Sequence, residues 1–530
     1  MRLRLPSAAP RSEILAAALV TGALATFFAL RLPPHGDASA HLFRTFLVRR
    51  GDFLWDNYWY GGEYPLASYS LLYYLPAALL GNTIVAVVAA VAASVVFAIV
   101  SWEAWGADAR WAARLFAVFA VEPLLRTEYP FALAVPLLLA SLGFLRSGRA
   151  RLGAVFAALT LGVSPLAFAF LCLAALGLFL ARPKLDGRAV VFALALAILA
   201  LCGVALSRIF ATPWSAYPFP SSALARIVVV SSLGIALARA TAVRWNGGGI
   251  YAVWGLAGVV GFLAPTPIGA NLARPMFLLV PLLLVPAARL APRAQTLAAL
   301  GVFLALTLNV GTLHSGLASA FSPHRNEARL WRPVVAFLRS HETPSFRVEV
   351  VPTAAHWEAY FLPRAGFAIA RGWYRQLDLA ANGLFYHGRL SRSGYRGWLR
   401  RMAVRYVVLA RLESLDGRGA AGEARLLRSG ESGLRLVKAT RDWSYYELRS
   451  AAPLLRPARL GAISSLGPDR IAGVVRHAGT YFLDVTYMRY WQPFPKSLSV
   501  ARAPNGMTLL RMSHAGRFRL DARAGLPDLP

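Results

Sequence analysis

Long apolar runs fill this 530-residue chain as far as residue 312 and then stop. A run of about 20 apolar residues crosses a bilayer as a helix, since its backbone polar groups must be satisfied within the segment. The remaining 218 residues, from 313 to 530, have dispersed charge and alternating patterns. The sequence therefore predicts a polytopic α-helical membrane protein that continues into a water-soluble region.

About eleven membrane spans are predicted from these runs. They lie at 14–30, 84–101, 111–124, 129–145, 152–163, 165–181, 189–208, 223–238, 249–264, 273–288 and 295–312. The first run follows Arg2, Arg4 and Arg11 as a signal peptide does, but no small-residue cleavage site precedes the polar segment that comes next. It is therefore predicted to be a retained span.

Basic residues in the short loops set the expected orientation. They fall in the loops 146–151, 181–188 (with Arg182 and Lys184), 239–244 (with Arg244) and 289–293. Loops 209–222 and 265–272 contain no Lys or Arg. Cytoplasmic loops are enriched in these residues, so the four basic loops are predicted to be cytoplasmic. The N-terminus is then cytoplasmic, and loop 31–83 and the chain after residue 312 lie outside the plasma membrane.

The net charge of +31 would suggest nucleic acid in a soluble chain. Residues 313–530 contain 33 Lys+Arg and 15 Asp+Glu, a net of 33 − 15 = +18, which leaves 31 − 18 = +13 for the membrane part. On the predicted topology, the net charge of +18 on residues 313–530 lies outside the cytoplasm, which excludes nucleic acid as a partner. Membrane lipid headgroups, lipid-linked phosphates and acidic envelope polymers fit it better.

The region after residue 312 carries helical and strand patterns. Apolar residues recur at helical spacing over Leu330–Leu338 and Tyr395–Met402, while Phe346, Val348 and Val350 alternate with charged residues as in a strand. An α/β domain is therefore predicted over 313–452. Its histidines, His356 among them, lack metal-ligand spacing and are predicted to be surface or packing residues.

Alternation returns in the tail, at Tyr481–Tyr487 and at Phe518 and Leu520, with Gly and Pro between the runs. This pattern predicts a small β-sandwich over 453–530. Arg456–Arg459 is the predicted linker between the two domains.

The first outer loop, 31–83, is too long and too aromatic for a simple connection. After Asp37 an amphipathic helix is predicted, with Leu42, Phe43, Phe46 and Leu47 on one face and Arg44, Arg49 and Arg50 facing water or lipid headgroups. A turn-rich aromatic segment, Trp55–Pro65, follows it. Residues 66–80 are expected to form a helix on the outer surface, because counting them as a span would move loop 146–151 outside.

Asp37 lies just beyond the first span, where a carboxylate can face a site half in lipid and half in water. Such a carboxylate can act as general base toward an acceptor hydroxyl. The alternative is that Asp37, or Ser39 nearby, simply caps the N-terminus of the following helix, as such residues commonly do.

Acidic residues also occur at a second outer loop. Glu122 and Glu128, together with His35, are candidates to bind a divalent metal, Mg or Mn, or to orient an acceptor. An acid at membrane depth is costly and usually faces a cavity. The alternative for Glu122 is an ion pair with Arg126 at helical spacing.

Arginines at the outer ends of spans are candidates to bind a phosphate. Arg274 is the strongest candidate, and Arg226 and Arg208 are the others, because a guanidinium can form two parallel hydrogen bonds to phosphate oxygens. Each of them can equally snorkel to the interface. The segments Arg371–Asp378 and Trp443–Leu448 combine aromatic, basic and acidic residues, which suit either sugar binding or a domain core.

This arrangement resembles the GT-C class of integral membrane glycosyltransferases. Asp37 followed by WDNYWYGGEYPL and YYLPAALLG is also similar to the bacterial membrane-protein family labelled "6-pyruvoyl-tetrahydropterin synthase-related", a label that implies no pterin chemistry. RGWYRQLD and YRGWLRRMAVRYVVL resemble segments of actinobacterial, arabinofuranosyltransferase-like membrane proteins.

The resemblance implies transfer of a sugar, with inversion, from a polyprenyl-phosphate donor to a glycan or lipid acceptor on the outer face. Asp37 matches the general base. The loop residues expected to contact sugar or acceptor are Trp55, Asp56, Tyr58, Trp59, Glu63 and Tyr64. The alternative is a non-catalytic envelope protein or a transporter of lipid-linked glycans.

Overall fold

The computed structural model describes residues 9–67, 69–181, 186–210, 215–241, 247–321 and 327–523. The basic residues Arg182, Lys184 and Arg244 lie outside these ranges. The chain divides into two compact units. The helical unit comprises Met1–Pro34, Tyr69–Arg208 and Ser215–Pro323, and the mixed unit comprises His35–Ser68, Ile209–Trp214 and His324–Pro530. Most of the loop that the sequence assigned to the membrane domain, 31–83, therefore belongs with the C-terminal region.

The described ranges hold 21 α-helices. In chain order they are α1 (Arg11–Arg31), α2 (Ala38–Arg50), α3 (Tyr74–Leu80), α4 (Asn82–Trp105), α5 (Arg110–Phe119), α6 (Glu122–Leu125), α7 (Tyr129–Arg146), α8 (Ala150–Val163), α9 (Pro165–Leu180), α10 (Gly187–Ile209), α11 (Ser221–Ala240), α12 (Gly248–Leu263), α13 (Met276–Leu282), α14 (Leu284–Ala287), α15 (Pro292–Asn309), α16 (Gly311–Ala320), α17 (Glu327–His341), α18 (Glu358–Arg364), α19 (Arg375–Ala381), α20 (Arg392–Arg401) and α21 (Ala421–Arg428).

Six helical segments of the described chain are long and apolar enough to cross a membrane, and the count rises to seven if α15 and α16, bent by 47°, form one span. The six are Arg11–Arg31, Asn82–Leu125, Tyr129–Arg146, Gly187–Ile209, Ser221–Ala240 and Gly269–Ala287. The helices α8, α9 and α12 are apolar but have only 14 to 16 residues. At 1.5 Å per residue they reach about 24 Å at most, against a hydrocarbon core of about 30 Å. The predicted eleven spans are not confirmed.

Local sequence explains where several helices begin and end. Ser164 caps α9 by accepting a hydrogen bond from the Ala167 amide at 3.3 Å, and Pro165 occupies the first helical position. The predicted surface helix at 66–80 is shorter than expected, because only Tyr74–Leu80 is helical and residues 69–73 form turns and bends. Leu79 and Leu80 remain exposed on that helix.

Two of the basic loops lie at the same end of the helical unit. Arg146 donates to the Ala104 carbonyl at 3.0 Å, and Arg289 donates to the Trp105 carbonyl at 3.4 Å and pairs with Asp108 at 2.6 Å. Both guanidiniums thus satisfy carbonyls that end α4, where the helix dipole favours positive charge.

The mixed unit contains twelve strands within the described residues. They are β1 (Arg347–Val350), β2 (Val404–Ala410), β3 (Arg435–Ala439), β4 (Trp443–Glu447), β5 (Leu455–Arg456), β6 (Gly461–Leu466), β7 (Arg470–Val475), β8 (Gly479–Thr486), β9 (Trp491–Phe494), β10 (Ser499–Arg502), β11 (Met507–Met512) and β12 (Gly516–Ala522). The first sheet has the order β1-β2-β4-β3, in which β1 and β2 are parallel. Helices α17 and α20 and strand β1 confirm the α/β patterns read from the sequence.

Two four-stranded antiparallel sheets form the tail, with the orders β10-β11-β8-β5 and β6-β7-β12-β9. The tail is therefore β-rich, as the alternation in the sequence predicted. The predicted linker Arg456–Arg459 is wrong, because Arg456 lies in β5, paired with Phe482, and residues 458–460 form a 3-10 turn. The segment is part of the tail's own sheet structure.

Hydrogen bonds build residues 35–67 into the mixed unit. The Ile369 amide donates to the Tyr58 carbonyl at 2.8 Å, and the Trp59 indole donates to the Ala359 carbonyl at 3.1 Å. Asn57 contacts the tail, since its side-chain amide donates to the Gly467 carbonyl at 2.9 Å. This part of the first loop is therefore held by both the α/β domain and the tail.

Candidate functional site

Asp37 occupies the residue before α2, but its side chain makes no capping hydrogen bond. Its carboxylate Oδ1 instead accepts a hydrogen bond of 3.2 Å from the indole N–H of Trp373. Ser39 is fully buried inside the helix, so it is not the cap either. The helix-cap alternative is therefore wrong, and the half-buried Asp37 carboxylate remains available for other chemistry.

Trp373 belongs to a cluster that the sequence did not reveal. The His356 ring stacks on it with 3.3 Å between ring centroids and 10° between planes. Nδ1 of His356 lies 3.2 Å from Oε1 of Glu358, and His356 adopts a left-handed backbone with φ of 51°. His356 is indeed a buried packing residue, as predicted. The spacing of residues in the sequence gave no indication that His356 lies next to Trp373, the residue that binds Asp37.

The cluster extends to an ion pair between Arg375 and Asp416. The guanidinium of Arg375 lies 5.0 Å from the Trp373 ring centroid and donates to both carboxylate oxygens of Asp416, at 2.6 and 2.7 Å. Burial alone would raise the pKa of Asp416, but the hydrogen bonds and charge of Arg375 hold that pKa below its ordinary value. Asp416 is therefore a fixed negative charge of this cluster.

The position of Arg44 on α2 differs from the predicted one. It was expected to face water or headgroups, but it is fully buried. Its guanidinium lies 2.5 Å from Glu63 and 3.9 Å from Asp56, and it sits 4.8 Å from the ring centroid of Trp59. Burial raises the pKa of Asp56 and of Glu63, and the charge of Arg44 opposes it. Asp56 and Glu63 thus hold Arg44 in place.

The aromatic side chains of the loop are core residues of the mixed unit. Trp55, Tyr58 and Trp59 have exposed fractions of 1%, 6% and 0%. Tyr64 is half-buried against Trp55, with ring centroids 4.9 Å apart. The predicted sugar contacts by Trp55, Tyr58 and Trp59 are wrong in this structure, because residues so little exposed offer no ring face on which a sugar can stack.

In the helical unit, Glu122 is buried and accepts a hydrogen bond of 3.0 Å from the side-chain amide of Asn309. Arg126 lies 3.6 Å from it, so the predicted alternative, an ion pair at helical spacing, is confirmed. Glu128 pairs separately with Arg274 at 3.3 Å. The strongest phosphate candidate from the sequence therefore already has a carboxylate partner.

The other predicted residues are dispersed. Arg208 is exposed near the end of α10, Arg226 is half-buried on α11, and His35 is exposed in the mixed unit. The described ranges contain no group of three or more His, Cys, Asp or Glu side chains that could hold a metal ion. Binding of a divalent metal by Glu122, Glu128 and His35 stays a prediction.

Arg371 opens the segment Arg371–Asp378 and is buried in an acidic cluster. Its guanidinium binds Glu349 at 2.8 Å and Glu423 at 2.5 Å, with Asp378 at 4.0 Å. Burial raises the pKa of Glu349, and Arg371 opposes that rise. Trp443–Leu448 lies largely on β4 with buried rings, as the core alternative predicted.

An apolar cavity of about 370 Å³ lies within the helical unit. Side chains of α4, α7, α9, α12 and α13 line it, and the only charged side chains among its lining residues are Arg146 and Arg289. Such a lining suits a hydrocarbon chain better than a polar molecule.

No family model matches the chain, and a search of curated proteins finds no match either. The resemblance to GT-C enzymes and its implied activity therefore rest on the residues described above.

Proposed function

We propose that the chain is a polyprenyl-phosphate-sugar-dependent glycosyltransferase of the GT-C type. It acts on the outer face of the plasma membrane, in the assembly of a cell-envelope glycan or glycolipid. The observation that carries this proposal is the position and hydrogen bonding of the Asp37 carboxylate. Its carboxylate follows the first apolar helix, does not cap α2, and is held through one oxygen by the Trp373 indole. Its other oxygen makes no hydrogen bond with the described residues.

Asp37 acts as the general base. Its carboxylate accepts the proton of an acceptor hydroxyl while that oxygen attacks the anomeric carbon of the donor sugar. The bond between the anomeric carbon and the phosphate oxygen breaks, and polyprenyl phosphate leaves with the bonding electrons. Attack opposite to the leaving group inverts the anomeric configuration.

The donor requires a cation for its phosphate and an apolar region for its chain. Arg226 and Arg208 pair with no carboxylate among the described residues, whereas Arg274 is paired with Glu128. Arg226 and Arg208 are therefore the preferred phosphate candidates, with Arg274 available if Glu128 releases it. The apolar cavity of the helical unit has the character that an isoprenoid chain requires.

The proposal includes a topology of eleven crossings, with the N-terminus cytoplasmic and residues 31–83 and 313–530 outside. The segment Asn82–Leu125 is 44 residues long and supplies two of these crossings. The three short apolar helices and the bent pair α15–α16 supply the four crossings beyond the six long segments. The placement of loops 146–151 and 289–293 at one end of the helical unit supports this orientation, since both are basic.

The test is a transfer assay with the purified chain in liposomes. Labelled polyprenyl-phosphate pentoses and hexoses are supplied with envelope-glycan acceptors, and the anomeric configuration of the product is determined by NMR. We expect transfer from one donor class with inverted configuration. A product with retained configuration, or no transfer from any donor, would contradict the proposal.

One observation favours a second candidate, a transporter of lipid-linked glycans. The helices α15 and α16 bend by 47° beside Asn309, which binds the buried Glu122. Interrupted helices next to an intramembrane acid are typical of transport sites. Movement of a labelled lipid-linked glycan across the liposome bilayer without new glycosidic bonds would support this candidate instead.

A further inference from the structure

One side chain fixes the orientation of the Asp37 carboxylate. The indole N–H of Trp373 donates to Oδ1 at 3.2 Å, across 336 positions of the chain. No other hydrogen bond to the Asp37 side chain occurs within the described residues. A carboxylate held by a single donor takes its orientation from that donor, so the position of the Trp373 ring decides where the second oxygen points.

The Trp373 ring is itself held by its neighbours, with the Arg375 guanidinium 5.0 Å from its centroid. His356 stacks on it almost in parallel, at a centroid distance of 3.3 Å. The ring of His356 is fixed by Glu358, whose Oε2 accepts a 2.7 Å hydrogen bond from the Thr353 hydroxyl while Oε1 lies 3.2 Å from His356 Nδ1. His356 and Glu358 are both about 4% exposed.

Backbone strain accompanies this contact. His356 has φ of 51°, in the left-handed region that side chains with a Cβ rarely adopt. Such conformations persist where the surroundings enforce them, and they concentrate at functional sites. Because His356 covers a face of the indole, that face is not a platform for a sugar, and a positioning role fits the geometry better than a binding role.

We propose that Trp373 is a positioning residue for Asp37 and that the His356–Glu358 pair fixes the indole that does this. The inference rests on the proposed function, because the orientation of Asp37 matters to transfer only if Asp37 is the base. Trp373 does not touch the reacting atoms. It directs the carboxylate oxygen that accepts the proton.

The test compares two tryptophan variants in the liposome transfer assay. Trp373→Phe keeps an aromatic ring for the stack but lacks the N–H. We expect kcat to fall by about 10- to 100-fold, the range for losing one hydrogen bond to a charged group, with KM unchanged. Trp443→Phe is the matched control, because it removes an indole that donates to the Leu330 carbonyl, also at 3.2 Å. Its kcat should stay within about 2-fold of the wild type.

A second variant removes the ring of His356 but keeps its backbone conformation. His356→Gly retains the left-handed backbone without strain and removes the stack. We expect its kcat to fall in the same direction as that of Trp373→Phe, again with KM unchanged. A double variant, Asp37→Asn with Trp373→Phe, should be no slower than Asp37→Asn alone, because the indole then has no carboxylate to orient.

The outcomes are distinguishable. If the wild-type chain transfers no sugar from any donor, the proposed function fails. If the wild type is active but Trp373→Phe keeps its kcat, the positioning inference is overturned. It is also overturned if Trp443→Phe loses as much kcat as Trp373→Phe, or if the double variant is slower than Asp37→Asn, because Trp373 would then act structurally or independently of Asp37.

Discussion

Replacing Arg371 by Met tests the buried acidic cluster of the mixed unit. Arg371 is 4% exposed and neutralises Glu349 and Glu423, which are each fully buried. Removing one partner of a buried ion pair costs about 3–5 kcal/mol, because the remaining charge is left without compensation. For a domain of about 200 residues, this loss lowers Tm by about 6–20 °C.

The assay is thermal unfolding of the full chain in detergent, followed by tryptophan fluorescence. Burial already raises the pKa of Glu349, and without Arg371 that pKa rises further. The folded state of Arg371→Met therefore gains protons relative to the unfolded state, and its deficit should shrink as the pH falls from 7 toward 4.5. The matched variant Arg371→Met with Glu349→Gln and Glu423→Gln removes the orphaned charges and should recover most of the Tm.

Two results would refute this reasoning. A Tm of Arg371→Met within about 2 °C of the wild type at pH 7 would show that the two carboxylates do not depend on Arg371. A triple variant no more stable than the single one would show that lost packing, and not orphaned charge, causes the destabilisation.

Three further changes give specific expectations. Arg44→Met leaves Glu63 buried without its cation, so limited proteolysis should cut residues 51–67 faster than in the exposed control Arg49→Met; equal rates would contradict the role of Arg44. Burial raises the pKa of Glu342 from 4.5 to about 7, so its ionisation destabilises the fold increasingly as the pH rises between these two values. Glu342→Gln should therefore raise stability at pH 8 by about 1–2 kcal/mol but not at pH 4. A uniform effect at both pH values would refute this. Gly372→Ala places a Cβ 2.4 Å from the buried Trp59 ring and should cost about 1–3 kcal/mol in unfolding experiments, whereas Gly417→Ala, which meets no atom within 4 Å, should not.

Local periodicity predicted much of the fold. The apolar runs became helices, and the patterns around Leu330–Leu338, Tyr395–Met402 and Tyr481–Tyr487 fall on α17, α20 and β8. These patterns succeed because a helix or strand repeats over a few residues, and burial on one face imposes the same repeat on the sequence.

Contacts between distant parts of the chain were not predicted. Arg44 has the position of a solvent-facing residue on α2, yet Glu63 and Asp56 bury it. The side-chain amide of Asn57 binds Gly467, 410 positions away, and no local pattern indicates that pairing. The same holds for the candidate site, since Asp37 was proposed from its place after the first apolar run, whereas Trp373 reaches it only through the tertiary fold.

The most direct measurement of the central claim is the rate of sugar transfer by Asp37→Asn. Asparagine keeps an oxygen that can accept the hydrogen bond from Trp373, but it cannot take up the proton of an acceptor hydroxyl at neutral pH. General-base catalysis contributes about 100- to 10,000-fold, so kcat should fall by that factor, while Asp442→Asn, a half-buried carboxylate of the same unit, should transfer normally. Undiminished transfer by Asp37→Asn would contradict the account.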